Sequence, residues 1–542
     1  MRGAHALLHT LVDAGVDVCF ANPGTSEMHF VAALDGVPAM RPVLTLFEGV
    51  ATGAADGYGR MTGRPASVLL HLGPGLGNGL ANLHNARRAG TPVVTVVGDH
   101  STAHKVYDAP LDSDIDSVAG TVSRWVRRSA TAADVGPDAA AAVAAALGPP
   151  AGIATLILPA DASWDDGAAP AAVEHSPAAG RGGVDASAGR GGLDASAGRG
   201  GLDADALEAA AKVLTSGEPC VLLIGSDGAL AAGARAAARI AAATGATLLA
   251  ETFPSRSERG GGLPAVPRLS YVAAAARRQL DGAAHVVLAG ARSPVAFFGY
   301  PGRSGDLLPD GCDVVTVAEK YGPAATALEA LADLVAPGAD APAGPHGRPD
   351  VPTGELTGAT ASAVIGALLP EGAIVVDEAN TSGVGLGQAT AGGPRHDWLT
   401  LPGGAIGYGM PAASGAAVAC PDRPVWCLAA DGASMYTISA LWTHAREGLD
   451  VTTVVYNNAA YAVLRAELAQ VGAEFTGDGS GVVARRLLDL DDPTLDFVRI
   501  AEGMGVPARR ADTADELADA LRAASTEPGP HLVEAMVPPL VR

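Results

Sequence analysis

Asp431 and Asn458 stand at the ends of two apolar runs, Val425-Trp426-Cys427-Leu428 and residues 451–456, with a helix-like segment between them. A parallel strand, helix, strand unit carries both strand ends to one edge of a sheet, where open α/β sheets bind ligands. One strand end then offers a carboxylate and the other a carboxamide, hard oxygen donors that suit Mg²⁺ with water or phosphate oxygens completing its shell. Taken alone, Ala430-Asp431-Gly432-Ala433-Ser434 reads first as a helix start, with Asp431 as N-cap and Gly448 as the stop. Asn457-Asn458 likewise reads as a turn. Glu48 falls between a strand-like run at 42–46 and a helix-like run at 49–61, so its carboxylate starts at a sheet edge beside a helix N-terminus; helix-terminal stabilisation explains that position equally well. His71 directly follows the strand-like run 66–70, where an imidazole either relays protons near neutral pH or is hydrogen-bonded structure. His100 and His104 share helical spacing after the run 93–97, and a solvated loop is the simpler reading of both.

Alternating strands and helices must position these groups. In the first part of the chain, strands are expected at 42–46, 66–70 and 93–97, with helices at 49–61, ended by Gly63, and at 78–89. The middle part gives strands at 221–224, 247–250 and 285–288 around an Ala-rich helix at 228–244. The last part opens with a helix at 361–369 and a strand at 373–376, contains the Asp431 unit and closes near 532–537. Such alternation predicts α/β units with doubly wound, mainly parallel sheets. Two composition breaks separate them. From Gly180, Gly189 and Gly198 a nine-residue unit recurs almost verbatim, with one aliphatic residue per unit, too little for a packed core and better read as an expanded linker. A Pro-, Gly- and Ala-rich stretch covers 337–354. The expected boundaries are therefore 1–175, a linker at 176–204, 205–336, a second linker at 337–354, and 355–542.

Together, Ala430-Asp431-Gly432 and Asn457-Asn458 resemble the diphosphate-binding motif of thiamine diphosphate-dependent enzymes, and residues 430–465 look like the acetolactate synthase-like and benzoylformate decarboxylase members. Phe47-Glu48-Gly49 and Ala55-Asp56-Gly57-Tyr58-Gly59-Arg60 resemble that family's activating-glutamate segment. The resemblance spans nearly the whole chain and implies pyrimidine-binding, central and diphosphate-binding domains in that order. It implies that Glu48 hydrogen-bonds N1′ of the aminopyrimidine and supports its imino tautomer, and that the thiazolium accepts the electrons when a 2-oxo acid loses CO₂. Within Leu401-Pro402-Gly403-Gly404-Ala405-Ile406, the cofactor contacts implied are Gly404 and Ile406, the latter holding the bent cofactor. Asn380, Thr381, Gly432, Ala433, Ser434 and Tyr461 match further cofactor-binding positions, with the helix start suited to phosphate. Asp431, Asn458 and the main-chain carbonyl of Ala460 match the metal ligands. Ala430 replaces the glycine usual before this aspartate.

Substrate handling is divided. His71 matches the histidine of benzoylformate decarboxylase-like proteins, and Thr25, in Asn22-Pro23-Gly24-Thr25-Ser26-Glu27, matches their substrate-contacting serine. The neighbourhood of their second histidine corresponds to residues 290–301, which offer Phe297 and Phe298 instead; His100 and His104 are candidate substitutes. The stretch 464–498 instead resembles acetolactate synthase-like carboligases, without a convincing FAD-holding pattern. The implied activity is cleavage of a 2-oxo acid, passing the acyl-anion equivalent to a proton or a second carbonyl. A non-catalytic cofactor-binding relative is the alternative of another class; retention of Glu48 argues against it. An NAD- or FAD-binding oxidoreductase is disfavoured because Gly73-Pro74-Gly75-Leu76-Gly77 lacks the full glycine spacing. Active sites at subunit interfaces imply a homodimer or homotetramer.

Composition adds bounds. With 542 residues and 48% hydrophobic content, the chain can bury several cores, and a net charge of −22 argues against a general nucleic-acid binder. Neither a secretory signal nor a membrane span is expected. Cys19, Cys220, Cys312, Cys420 and Cys427 lack metal-type or disulfide-framework spacing and suggest reduced core residues in a cytoplasmic protein.

Overall fold

Short, continuously apolar runs make strands that can be covered on both faces, and the central strands of this chain are so covered. The computed structural model describes residues 1–173, 202–470, 483 and 486–539. The nine-residue repeat expected as a linker lies outside them as far as Gly201; the end of its third copy is described, with Asp203 capping the helix Ala204–Leu214. Strands β1 (Val18–Ala21), β2 (Arg41–Leu44), β3 (Ala66–Leu70), β4 (Val93–Asp99), β5 (Trp125–Arg128) and β6 (Ile153–Pro159) form a parallel sheet in the order β2-β1-β3-β4-β6-β5. Every residue of β3, β4 and β6 is buried. Next come β7 (Cys220–Ile224), β8 (Thr247–Ala250), β9 (Arg256–Arg259), β10 (His285–Ala289) and β11 (Asp313–Ala318); four of them pair in parallel as β11-β10-β7-β8. The last strands are β12 (Ile374–Glu378), β13 (His396–Leu399), β14 (Val425–Ala430), β15 (Val451–Asn457), β16 (Ala508–Ala511) and β17 (His531–Met536). Together with β9 they form the sheet β16-β17-β15-β14-β12-β13-β9.

The expected α/β architecture with three mainly parallel sheets is the observed one. Three details differ from the sequence reading. β9 lies by sequence in the middle segment but pairs antiparallel with β13, so the chain crosses to edge the third sheet before returning to the second. The second helix of the first unit spans Leu72–Ala89 rather than starting at 78. Gly73-Pro74-Gly75 looks like a loop in one dimension, yet Pro74 sits in the first turn, where a helix needs no N–H from it. A Cβ at Gly73 would lie 1.8 Å from Ser113 Oγ and 2.8 Å from its Cβ, so the glycine lets the loop around Ser113 pack closely on this helix start. The helix expected from 435 to 447 is broken into Asp431–Ser434 and Ala440–Glu447.

The first and third sheets are joined through the helices Glu48–Thr62 and Gly409–Ala419. Their backbones nearly touch: a Cβ at Gly57 would lie 2.1 Å from the Ala412 carbonyl oxygen, and one at Gly415 would lie 1.8 Å from that of Ala54. Where the Glu48–Thr62 helix ends, Arg60 is buried against a fully buried Asp56 and forms an ion pair with it. The remaining N–H groups of Arg60 reach out of its own unit, to the Thr400 carbonyl at 2.7 Å, the Tyr408 hydroxyl at 2.9 Å and the Ser255 carbonyl at 3.2 Å. Thr91 Oγ1 donates to Asp56 Oδ1 at 2.5 Å. One guanidinium thus ties the first unit to the loop before β9 and to the chain after β13. Replacing Arg60 by Met is expected to leave the Asp56 charge buried and unpaired, at a cost of about 3–5 kcal/mol. A lowered unfolding midpoint checks this, and Arg60→Met combined with Asp56→Ala should lose less than the two single losses added together.

Candidate active site

Two groups of side chains gather at the C-terminal strand edges of the first and third sheets. In the first, Glu48 opens the helix Glu48–Thr62 and is 8% exposed. Asn78 Nδ2 donates to Glu48 Oε2 at 3.0 Å, and a Cβ at Gly75 would lie 3.2 Å from Glu48 Oε1. The helix Leu72–Ala89 therefore aims and crowds the carboxylate from one side. His71 is the N-cap of that same helix. Its Nδ1 lies 2.8 Å from Glu27 Oε2 and 3.1 Å from Ser26 Oγ. Glu27 is buried, also accepts the Gly24 N–H at 2.8 Å, and is hydrogen-bonded to Ser26 Oγ. The contact of Nδ1 with a carboxylate fixes the orientation of the imidazole. The packing is close: a Cβ at Gly24 would lie 2.2 Å from the His71 ring, and one at Gly98 would lie 1.8 Å from Glu27 Oε1, so a larger residue at either position would displace the network.

In the second group, the parallel register sets Glu378 beside Ala429 and Ala430 beside Tyr456, so the turns after β12, β14 and β15 emerge side by side. Asp431 is 1% exposed and is the first residue of its short helix, with Ala430 as N-cap. Its Oδ1 accepts the Gly432 N–H at 2.7 Å and its Oδ2 that of Asn458 at 3.0 Å. Burial raises the Asp431 pKa, against the pull of those backbone donors. Asn458 Nδ2 donates to Ser382 Oγ at 3.2 Å, which draws the Asn380–Gly383 turn, with Thr381, to the same place. Asn458 Oδ1 accepts the Ala460 N–H at 3.0 Å. Ala433 and Ser434 continue the turn and are buried, and the glycine at 432 leaves room for the Tyr461 ring, which would lie 2.3 Å from a Cβ there.

The Leu401–Gly409 loop, carrying Gly404 and Ile406, lies between the two groups. Asn85 and Ala405 exchange hydrogen bonds at 2.8 and 3.2 Å, and Asn82 Nδ2 donates to the Gly407 carbonyl at 3.1 Å. Ile406 is partly buried against the large core shared by the first and third sheets. Glu378 is buried behind the loop and accepts N–H groups of Gly407, Tyr408 and Gly409. Burial pushes its carboxyl up to about 7, although those three donors oppose the shift.

The sequence reading misses Ser26, Glu27, Asn78 and Glu378. Ser26, rather than the exposed Thr25, is the hydroxyl bonded to His71. Glu27 stands three residues after Gly24, the spacing at which a glutamate reaches back to a main-chain N–H at a helix start, and Glu378 is an acidic residue ending an apolar strand; both are signals present in the sequence. His100 and His104 place their rings 5.2 Å apart in the loop after β4, and no hydrogen bond among the described residues links either imidazole to Glu48 or His71.

The oxygen donors fit a divalent cation bound to a diphosphate. Among the described residues Asp431 is a buried carboxylate with no cationic side chain bonded to it, and the Asn458 side chain, whose Oδ1 is a further hard oxygen, belongs to the turn whose N–H bonds that carboxylate. The described residues hold no cluster of three or more His, Cys, Asp or Glu, so one carboxylate with amide and carbonyl oxygens is the available set. Residues 1–119 match the N-terminal TPP binding domain of thiamine pyrophosphate enzymes, and residues 385–535 match the C-terminal TPP binding domain. The chain is 64% identical over 541 residues, 100% of both proteins, to the Mycobacterium tuberculosis protein named "Putative acetolactate synthase large subunit IlvX". It belongs to the thiamine pyrophosphate enzyme family. Benzoylformate decarboxylase of Pseudomonas aeruginosa is 32% identical, with 98% of both chains covered. The thiamine diphosphate-dependent 4-hydroxybenzoylformate decarboxylase of Rhodococcus jostii RHA1 superposes with a TM-score of 0.82 over 99% of both chains; at 24% identity that likeness concerns the fold. The protein is thus a thiamine pyrophosphate-dependent enzyme of the acetolactate synthase and benzoylformate decarboxylase type. No helix among its described residues is long and apolar enough to cross a membrane.

Glu378 gives this site a pH signature. Its folded-state pKa of about 7 lies above the ordinary 4.5, so the folded chain binds the proton more tightly than the unfolded chain. Stability associated with this group is greatest at low pH and is lost as pH rises from about 4.5 to about 7. Denaturation of the wild type and Glu378→Gln at pH 5 and pH 8 is expected to show the wild type losing ground to the variant as pH rises, by about 3 kcal/mol at most.

Proposed function

We propose that this enzyme uses thiamine diphosphate and Mg²⁺ to cleave a 2-oxo acid, releasing CO₂ and passing the acyl-anion equivalent to a proton or to a second carbonyl. The observation that carries this reading is the pair of strand-edge sites, a buried and aimed Glu48 at one and the Asp431 and Asn458 oxygens at the other. When bound, the cofactor supplies a thiazolium that accepts the electrons left by CO₂. Glu48 would hold a proton at N1′ of the aminopyrimidine. Asp431, Asn458 and the Ala460 carbonyl would hold the metal; Gly432, Ala433, Ser434, Asn380, Thr381 and Tyr461 would surround the diphosphate. Gly404 and Ile406 would support the bent cofactor. Thr25 would line the substrate side.

Among the described residues, no hydrogen bond joins the Glu48 carboxylate to the Asp431 turn or to the Gly404–Ile406 loop; its partner, Asn78, belongs to its own unit. A homodimer in which one subunit's Glu48 faces another's Asp431 turn accounts for this, and a tetramer of such dimers is compatible with it. We place the enzyme in the cytoplasm. The 1–175, 205–336 and 355–542 segments would serve as pyrimidine-binding, central and diphosphate-binding domains.

A benzoylformate decarboxylase-type outcome, with protonation and release of an aldehyde, is favoured by the Ser26, Glu27 and His71 network, which orients an imidazole for proton delivery. A panel of 2-oxo acids with Mg²⁺ and thiamine diphosphate, read separately for CO₂, aldehyde and acyloin, decides between protonation and carboligation. Glu48→Gln is expected to lower CO₂ release by about 10²–10⁴-fold while retaining cofactor binding; undiminished release would remove Glu48 from the reaction. Mg²⁺ with thiamine diphosphate should raise the unfolding midpoint of the wild type, because a ligand that binds the folded state stabilises it. The same addition should leave the midpoint of Asp431→Ala unmoved.

A further inference from the structure

Glu378 lies buried at the end of β12, and among the described residues its carboxylate bonds only to backbone amides, with no cationic side chain paired to it. Oε1 accepts the Gly407 N–H at 2.8 Å and the Tyr408 N–H at 3.1 Å, and Oε2 accepts the Gly409 N–H at 2.8 Å. These three amides lead into the helix Gly409–Ala419, with Tyr408 as its N-cap and Gly409 as its first residue, where N–H groups have no intrahelical partner. A carboxylate there meets both the free N–H groups and the positive end of the helix. The following peptide is held too, because the Gly407 carbonyl accepts from Asn82 at 3.1 Å and from Thr437 Oγ1 at 2.9 Å. Gly407 has a φ of +89°, a conformation that side chains rarely adopt, and a Cβ there would lie 2.6 Å from Tyr436 Cβ. The backbone immediately after Ile406 is therefore held from two directions, through its N–H groups by Glu378 and through the Gly407 carbonyl by Asn82 and Thr437.

Burying this carboxylate costs stability, since nothing cationic offsets its desolvation. A neutral side chain could fill the space, but a glutamine offers one oxygen and an NH₂ group, and its NH₂ would confront an N–H that needs an acceptor. Three converging N–H groups call for a carboxylate.

We propose that Glu378 is a positioning residue for catalysis: by clamping the amides of Gly407, Tyr408 and Gly409 it fixes Ile406 in the place where it supports the bent cofactor. This rests on the role of Ile406 given under the proposed function. The test compares the wild type, Glu378→Gln, Ile406→Ala and the double variant as full-length proteins. In cofactor-free protein, hydrogen exchange of the peptide spanning 407–409 should accelerate in Glu378→Gln and stay slow in Ile406→Ala. In the loaded enzyme, Glu378→Gln should lower kcat by up to about 10²-fold with little change in KM for the 2-oxo acid, as expected when a reacting group is misplaced by about 1 Å. The double variant should lose little more than the more damaging single change, because both act through one side chain. Unchanged exchange in Glu378→Gln, or losses that multiply in the double variant, overturns the proposal. If the wild type and Ile406→Ala turn over equally well, the assigned role of Ile406 fails first; if Ile406→Ala is impaired and Glu378→Gln is not, only the role of Glu378 fails. Should Glu378→Gln not fold, Thr437→Val, which removes the donor to the Gly407 carbonyl, must produce the same exchange and kcat pattern in weaker form for the proposal to stand.

Discussion

Arg60 is charged in a place with almost no water, and that is tolerable only because each edge of its guanidinium meets an acceptor or a carboxylate. Since the acceptors belong to separate parts of the chain, the electrostatic requirement becomes a geometric one. Asp56 fixes the residue within the Glu48–Thr62 helix, Ser255 lies just before β9, and Thr400 and Tyr408 flank the loop that carries Ile406. Any drift of the first sheet against the third would strand one of these groups in a low-dielectric interior. The glycines that let the Glu48–Thr62 and Gly409–Ala419 helices approach backbone to backbone act in the same direction, since a Cβ at Gly57 or Gly415 would push the two apart. Glu48 and Ile406 stand at the leading ends of the two elements thus locked together.

The chemistry-bearing residues are carried on strand edges and helix starts, and a second set of side chains sets their orientation. Glu27 commits one nitrogen of His71, Asn78 aims Glu48, and Glu378 holds the amides after Ile406. These hydrogen bonds are at least partly shielded from water, so leaving a buried partner unsatisfied carries a penalty of about 1–3 kcal/mol. That penalty restrains the reacting groups more tightly than exposed hydrogen bonds could. The Asp431 turn differs, because its carboxylate rests on backbone donors and, among the described residues, has no cationic side chain to compete with a metal ion.

Much of this is legible in one dimension. Continuous apolar runs of strand length separated by helical periods lead to parallel sheets, because only strands covered on both faces can be apolar throughout. Gly63 and Gly448 mark helix ends through the left-handed conformation they adopt. Asp431, Asn458 and Glu48 stand out as residues of the right type at predicted strand ends. What escapes are features whose cause lies far away in sequence. The start of the Leu72–Ala89 helix looks like a glycine loop because the loop around Ser113 that packs on it is remote. β9 is invisible because its pairing partner, β13, lies more than a hundred residues on and supplies the order that a short polar strand lacks.

The amino-acid order by itself determined which elements form, where most of them end and which residues are chemically competent, because propensity, apolar periodicity and side-chain type are local properties. Only the tertiary structure decided which of those residues are aimed and by what. Burial and hydrogen bonding between distant segments selected Ser26 over Thr25 as the partner of His71, set Glu27 behind the imidazole, and turned Glu378 from an acidic residue at a strand end into the clamp of a loop 29 residues away.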